Sequence, residues 1–296
     1  MMAFIDKIIA VFFSIVTAVI SLFYTPTTVP AVNPETLPEP AMTQKITVMS
    51  FNVYIGGAGE LSAENRTDEV VSKIRSHSPD SFGLQEANEG WMERLPEILK
   101  DEYAYVGVGR DRDLGGEASP VFYKKDKYEV VEYDTFWLSK TPEKPSKGWD
   151  AMFNRICTYA VLKDKETGFT YAHFNAHFDH MGVVARNESV TVIANKIKEI
   201  APDMPVVFSG DLNDGEDTDM YARVLESGMK DTRSLAENSG TDTTFHAYAG
   251  SERTLDYIFA NAFCIKVDKH LVDNEMINGI YASDHHPVVA TLELFN

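Results

Sequence analysis

Apolar and polar residues alternate from Lys45 to Asn52, which predicts a strand with one buried face that runs out onto a polar residue. Val70, Val71 and Ile74 recur at helical spacing and predict a helix from Asn65 to His77. Ser81 to Gln85 reads as a short buried strand, and Trp91 to Leu99 as a helix. Val121 to Tyr123 and Tyr128 to Tyr133 read as strands. Ile156 to Leu162 and Thr170 to Asn175 read as a strand pair around a turn at Thr167 and Gly168. Val190, Ile193, Ala194 and Ile197 form one stripe of a helix from Arg186 to Ile200. Pro205 to Ser209 is a fully buried strand ending at Gly210, Met220 to Ser227 a short helix, and Leu255 to Ala260 and Val288 to Leu294 two further strands. Hairpins mixed with strand–helix alternation, without a repeat of fixed period, predict an α/β fold of two sheets packed face to face with helices outside. Polar residues gather where strands end, the place where α/β folds build sites.

The N-terminus follows another pattern. No residue from Ile8 to Tyr24 is charged, and Lys7 stands just before the run. The run is longer than a signal-peptide core of roughly 7–15 residues and shorter than a full span of about 20. Val29-Pro30-Ala31 is a poor cleavage site, so an uncleaved anchor is expected ahead of a cleaved signal for residues 1–24. Either way Lys7 stays cytoplasmic and the remainder is exported, to be secreted or held at the membrane by the N-terminal segment. Pro26, Pro30, Pro34, Pro38 and Pro40 then prevent helix and ladder pairing, which makes residues 25–43 an extended linker. Residues 44–296 remain for one large domain.

Charge narrows the choice of partner. The formal net charge of −18 argues against tight, nonspecific binding of long nucleic acids, which relies on basic surface. It leaves nuclease action open, because a divalent cation can supply positive charge at the scissile phosphate. Cys157 and Cys264 each sit in an apolar, strand-like run and read as small buried hydrophobes rather than a disulfide or a zinc site. A monomer is expected.

Six segments leave strands carrying acidic, amide or imidazole groups. Asn52, Glu86 and Asp284, each ordinary alone, together make an oxygen-rich set suited to Mg²⁺, or Mn²⁺. In Gly210-Asp211-Leu212-Asn213 a carboxylate and an amide two apart can project together, Asp211 taking a proton from water and Asn213 orienting it; the same pattern fits an Asx turn. Asp256 and His285 suit a carboxylate-held imidazole that stabilises a phosphorane-like transition state or protonates a leaving oxygen. His177 is a candidate second histidine with Glu117 as its partner. Arg155 and Arg186 are candidates for phosphate oxygens, Arg155 the better placed because it enters a strand beside the site segments.

The order and spacing of Ser50-Phe51-Asn52, Leu84-Gln85-Glu86, Gly210-Asp211-Leu212-Asn213, Leu255-Asp256-Tyr257-Ile258-Phe259 and Ser283-Asp284-His285 resemble the endonuclease/exonuclease/phosphatase superfamily over Lys45 to Leu294. The resemblance implies a four-layer α/β sandwich of two mixed β-sheets. It implies Glu86 as the principal metal ligand with Asn52 and Asp284 near it, Asp211 as the residue that activates water, Asn213 as its orienting partner, Asp256 with His285 as the carboxylate–histidine pair, and His177 with Glu117 beside them. Gly115-Gly116-Glu117, Gly148-Trp149-Asp150, Asn154-Arg155 and His177-Phe178-Asp179-His180 look closer to exported bacterial members known chiefly by their domain, which would put Trp149, Asp150, Asp179 and His180 near substrate. Apurinic members carry an acid two residues after the motif asparagine; Tyr54 stands there, which weakens an abasic-site or two-metal reading.

Three functions follow as expectations. The first is an exported metal-dependent phosphoesterase acting on a small or lipid-linked mono- or diester. The second is an extracellular nuclease cutting DNA or RNA with the same residues, distinguished by a basic groove beside the site. The third, a catalytically dead binding module, sits poorly with an intact set of Glu86, Asp211, Asn213, Asp256 and His285.

Overall fold

The computed structural model describes residues 24–296 apart from Ala58, Leu114, Thr241 and Ala249. The apolar run before Tyr24 lies outside the described residues; among them, no helix is long and apolar enough to cross a membrane.

Two six-stranded sheets carry the fold. In the first, the order is β11 (Cys264–Val272), β12 (Val288–Phe295), β1 (Thr43–Asn52), β2 (Ser81–Gln85), β4 (Val121–Lys124), β3 (Tyr103–Val106). In the second it is β5 (Tyr128–Trp137), β6 (Ile156–Asp164), β7 (Thr170–His177), β8 (Val206–Asp211), β10 (Asp256–Ala260), β9 (Lys230–Asp231). Both are mixed: β1 and β2 pair parallel, as do β7 and β8, and the other ladders are antiparallel.

Side-chain alternation sorts these strands into layers. From β1, Ile46 and Val48 join Leu162, Tyr171, Val207 and Ile258 of the other sheet in the core between the sheets. Met49 and Phe51, on the opposite face, pack with Val70 and Ile74 of α1 (Ala63–His77) and Trp91 and Leu95 of α2 (Glu89–Leu99). The outer face of the second sheet buries Phe174 and Phe208 against Val190, Ile193 and Ile197 of α3 (Val183–Ile200) and Val224 of α4 (Asp219–Glu226). A one-turn helix, α5 (Thr232–Leu235), completes the set. The result is the expected four-layer sandwich.

Toward the site the inter-sheet core turns polar. Gln85 Nε2 donates to Asn175 Oδ1 at 2.7 Å, and Asn175 Nδ2 donates to the carbonyls of Leu84 and Pro120. His173 bridges Ser81 and Ser209 at 2.9 and 2.8 Å, and complete burial pushes its pKa down to about 3, so it is a neutral structural histidine. Gly83 permits this seam: a Cβ there would lie 2.1 Å from Asn175 Oδ1. Such directional bonds fix how one sheet is placed over the other.

Both cysteines are free, but only Cys157 is buried; Cys264 is partly exposed at the start of an edge strand. The proline-rich stretch has no regular secondary structure from Tyr24 to Met42, and it lies along the domain. Val32 is 1% exposed within the core under α3 and α4. Thr27 donates through N and Oγ1 to the buried Glu188 carboxylate at 3.0 and 2.6 Å, and Arg223 Nη2 donates to the Thr27 carbonyl at 2.8 Å. The Asn33 amide donates to the Gly228 carbonyl and accepts from Ala262 N. Removing it uncovers an apolar side chain's site and strips partners from a buried acid and a buried base. A chain beginning at Thr43 is therefore expected to lose about 3 kcal/mol, roughly 6–12 °C for a domain of this size. Thermal melts of the full and shortened chains check this; equal midpoints would mean the contacts carry no stability.

Candidate active site

Chain direction assembles the site. β1, β2, β7 and β8 end at one edge of the sandwich, while β10 begins there, and β12 follows Asp284 and His285 there. Register aligns His177, Asp211 and Asp256 in one row across the second sheet. Just beyond their strands, Tyr54, Glu86 and Asn213 take positive φ of 57°, 58° and 53°. These left-handed turns redirect the chain just past each strand end. For a residue other than glycine such a conformation costs on the order of 1–3 kcal/mol, least for asparagine, and persists where its surroundings impose it.

Asp211 stands at the centre and is 2% exposed. Its Oδ2 accepts from Asn52 Nδ2 at 2.9 Å, and its Oδ1 from Asn213 N at 2.9 Å. His177 Nε2 and His285 Nε2 lie 3.6 and 3.8 Å from Oδ2. Burial, then repulsion from Asp256, pushes its pKa well up from the usual carboxylate range. His285 is held from behind: Nδ1 donates to Asp256 Oδ2 at 2.8 Å, and Thr244 Oγ1 donates to the same oxygen at 2.6 Å. Burial alone would lower the His285 pKa, but Asp256, Asp211 and Asp284 outweigh it and raise it to about 10, so the ring is positive at neutral pH. His177 has the opposite character. Burial and the nearby Arg155, His285 and Arg110 lower its pKa far below the usual value. Asn213 Nδ2 donates to Nε2 at 3.0 Å, which places the His177 proton on Nδ1.

Glu86 and Asp284 line the same cavity as Asp211, and among the described residues neither forms an ion pair with a cationic side chain. Glu86 accepts from Asn52 Nδ2 at 3.2 Å and from Ile55 N at 2.7 Å. Burial, with Glu86 adding repulsion, raises the Asp284 pKa. Two carboxylates facing one cavity without a basic partner fit a hard divalent cation. Asp211, Asp256 and His285 also bring three ligand-type atoms within 4.8 Å of one another. That cluster suits a metal poorly: His285 Nδ1 is spent on Asp256, and the same carboxylate oxygen already accepts from Thr244.

Several expected residues sit differently from the sequence reading. Asn52 is fully buried; its Oδ1 accepts from Tyr54 N and its amide bridges Glu86 to Asp211, so it aligns two carboxylates. Glu117 lies 3.6 Å from His177 Nδ1, beyond hydrogen-bond reach, and its short pair is with Arg110 at 2.9 Å. Trp149, Asp150 and Asp179 are absent from the cavity lining. Asp150 caps the start of α3 by accepting from Val184 N and Ala185 N. Asp179, 1% exposed, accepts from Met152 N, Met181 N and Gly182 N and pairs with Arg155. Arg155, His180 and Arg186 do line the cavity, Arg186 pairing with Asp214 at 2.9 Å.

Other residues had no sequence signal. Arg66, on α1 and fully buried, donates to four backbone carbonyls, those of Leu61, Val53, Tyr54 and Ala282. It thereby ties the loop after Asn52 to the chain just before Asp284. Phe153, Asp214, Phe245 and Arg253 complete a cavity of about 600 Å³, within the range of small-molecule sites.

Known proteins bear on this geometry. A solved endonuclease/exonuclease/phosphatase from Bacteroides vulgatus is 36% identical, with a TM-score of 0.81 over 85% of this chain and 99% of its own. A mannosyl-6-phosphatase from Bacteroides thetaiotaomicron is 31% identical, with a TM-score of 0.75 over 83% of this chain and 99% of its own. The CCR4-Not complex 3′-5′-exoribonuclease subunit Ccr4 of Aspergillus clavatus is 25% identical over 169 residues, 46% of this chain, which spans only 25% of that protein. The family model for the Endonuclease/Exonuclease/phosphatase family matches residues 49–285, a stretch that takes in every strand end described above. The chain belongs to the Endonuclease/Exonuclease/phosphatase family.

Proposed function

We propose that this chain is an exported, Mg²⁺-dependent phosphoesterase that hydrolyses a small or lipid-linked phosphate mono- or diester by attack of water. One observation carries the reading: Asp211, its proton affinity raised by burial, is held by Asn52 and Asn213 in one cavity with Glu86 and Asp284, two carboxylates that form no ion pair with a cationic side chain among the described residues. Asp211 takes the proton of the attacking water, and its raised pKa makes it a stronger acceptor than an exposed aspartate. Asn213 keeps that carboxylate and His177 in place. His285, positive and backed by Asp256, faces the negative charge that builds on the phosphoryl oxygens or the departing one. Arg155 and Arg186 add positive charge on the cavity wall. Glu86 and Asp284 would hold Mg²⁺ or Mn²⁺, with the Asn52 carbonyl oxygen beside them; bound there, the cation polarises the phosphate and offsets its charge.

Lys7 and the uncharged run after it support export, with the domain outside the membrane. A monomer suffices on this reading, because Asp211, His285, Glu86 and Asp284 all belong to one chain. The −18 charge favours small or lipid-linked substrates over polymers. The likeness to an exoribonuclease subunit keeps an extracellular nuclease as the second reading.

The test is hydrolysis by the full chain of a panel pairing DNA and RNA with sphingomyelin, inositol phosphates, hexose phosphates and bis-p-nitrophenyl phosphate. Activity is expected on the small or lipid esters, lost in EDTA and restored by Mg²⁺ or Mn²⁺. Turnover of nucleic acid alone would favour the nuclease. Full activity in EDTA would remove the metal from the account.

A further inference from the structure

We propose that Phe153 and His180 form a ledge that selects the leaving group, and that the group it takes is a pyranose ring. The proposal rests on the phosphoesterase reading and names the substrate side that reading leaves open.

Phe153 is 42% exposed, the one exposed phenylalanine among the described residues. It lines the cavity that holds Asp211 and His285. Its ring lies against His180, also exposed, with centroids 6.0 Å apart and planes 26° from parallel. The two rings stand on different loops, before β6 and before α3, and one buried carboxylate pins both. Asp179 Oδ2 accepts from Met152 N at 3.0 Å and Phe153 N at 3.4 Å, while Oδ1 accepts from Met181 N at 3.0 Å and Gly182 N at 2.7 Å. The Arg110 guanidinium sits 4.7 Å from the Phe153 centroid, and Arg110 is itself fixed by Glu117. Arg155 Nη2 lies 3.1 Å from His180 Nδ1; since arginine only donates, Nδ1 accepts and the ring proton is on Nε2. The ledge is therefore preorganised, with an apolar surface and one N–H donor that has no acceptor among the described residues.

That combination describes its ligand. The phosphate belongs with Asp211, His285 and the carboxylates, and a cavity of about 600 Å³ leaves room for a ring-sized group beyond it. A pyranose has an apolar face of C–H bonds for the aromatic surface and hydroxyl oxygens on its rim to accept from the His180 N–H. A phosphate on a primary carbon of that ring would reach the catalytic groups while the ring lies on the ledge.

The test compares wild type with Phe153→Ala on mannose 6-phosphate, glycerol 3-phosphate and adenosine 5′-monophosphate. The first two are primary phosphate monoesters with and without a ring. The ratio of their kcat/KM values is expected to favour the sugar in the wild type and to fall about tenfold in the variant. The change should be in KM, since the stack forms equally before and in the transition state. An unchanged ratio overturns the ledge. A loss confined to adenosine monophosphate replaces the sugar with a base. Thermal melts confirm that the variant folds.

A second measurement needs no turnover. Saturation-transfer NMR with mannose 6-phosphate in EDTA should show transfer to the ring C–H protons in wild type and its loss in Phe153→Ala. No transfer in wild type overturns the ledge, whatever the activity. Transfer without hydrolysis of any ester in the presence of Mg²⁺ keeps the ledge and sinks the phosphoesterase reading.

Discussion

Glu86→Gln is expected to lower kcat by about a thousandfold or more at moderate Mg²⁺, with the fold unchanged. The loss corresponds to roughly 4 kcal/mol of transition-state stabilisation, which is within what a bound cation provides. Both Glu86 oxygens already accept, one from Asn52 Nδ2 and the other from Ile55 N. Glutamine turns one acceptor into a donor facing a donor, so the head group must rotate away. It also removes one of the two negative charges that the cavity offers a cation, the other being Asp284. Mn²⁺ titration followed by electron paramagnetic resonance should show weaker binding in parallel with the lost rate, and thermal melting should change little because Glu86 is partly exposed. Wild-type rates with wild-type Mn²⁺ affinity would place the metal elsewhere.

The second large effect belongs to His285. His285→Ala is expected to reduce kcat by roughly 10³-fold, the scale of a general acid or of one electrostatic donor in a dry site. The variant also leaves Asp256 buried with Thr244 as its remaining side-chain partner, and Asp256 Oδ1 has none even in the intact site. A stability loss of about 3 kcal/mol or more is expected with the rate loss, so rates are measured well below the melting point. The pH profile separates the two effects. Activity in the wild type should fall on the acid side as Asp211 gains its proton, above the usual carboxylate range because its pKa is raised. It should fall on the alkaline side as His285 loses its own, near pH 10. The variant should keep the acid limb and lose the alkaline one. An alkaline limb that persists in His285→Ala would assign it to another group.

The sequence carried the site's centre because period-2 alternation places Asn52 on the same face as Ile46 and Val48, between the sheets, and because Glu86, Asp211 and Asp256 stand at strand ends where few polar groups have another reason to be. It carried less at the margins. The strand from Cys264 to Val272 shows in the sequence only as an apolar run about Cys264, since two irregularities in its pairing with β12 break the alternation. Tyr103 to Val106 is too short an edge strand to show a pattern. Arg66 shares the helical stripe of Val70 and Ile74, but its charge reads as solvated, and the carbonyls that satisfy it come from loops around the site, Ala282 among them, whose approach spacing does not show. Trp149, Asp150 and Asp179 lie close to the cavity along the chain but act on backbone or lie outside it, a distinction that depends on side-chain direction. Phe153 follows Trp149 and Met152 in a loop without periodicity, and only the loop's path puts it in the cavity with the catalytic groups.

The docked N-terminal stretch changes what the enzyme can reach. A free coil of its length would let the domain wander about 25 Å from its point of attachment. Thr27 instead is fastened to Glu188, two residues along α3 from Arg186 on the cavity wall. The stretch behaves as a bracket in place of a leash. Were the run before Tyr24 the proposed membrane anchor, residues 24–42 would add no slack of their own between the surface and the cavity mouth, and a substrate confined to that surface would be met over a narrower range of distances.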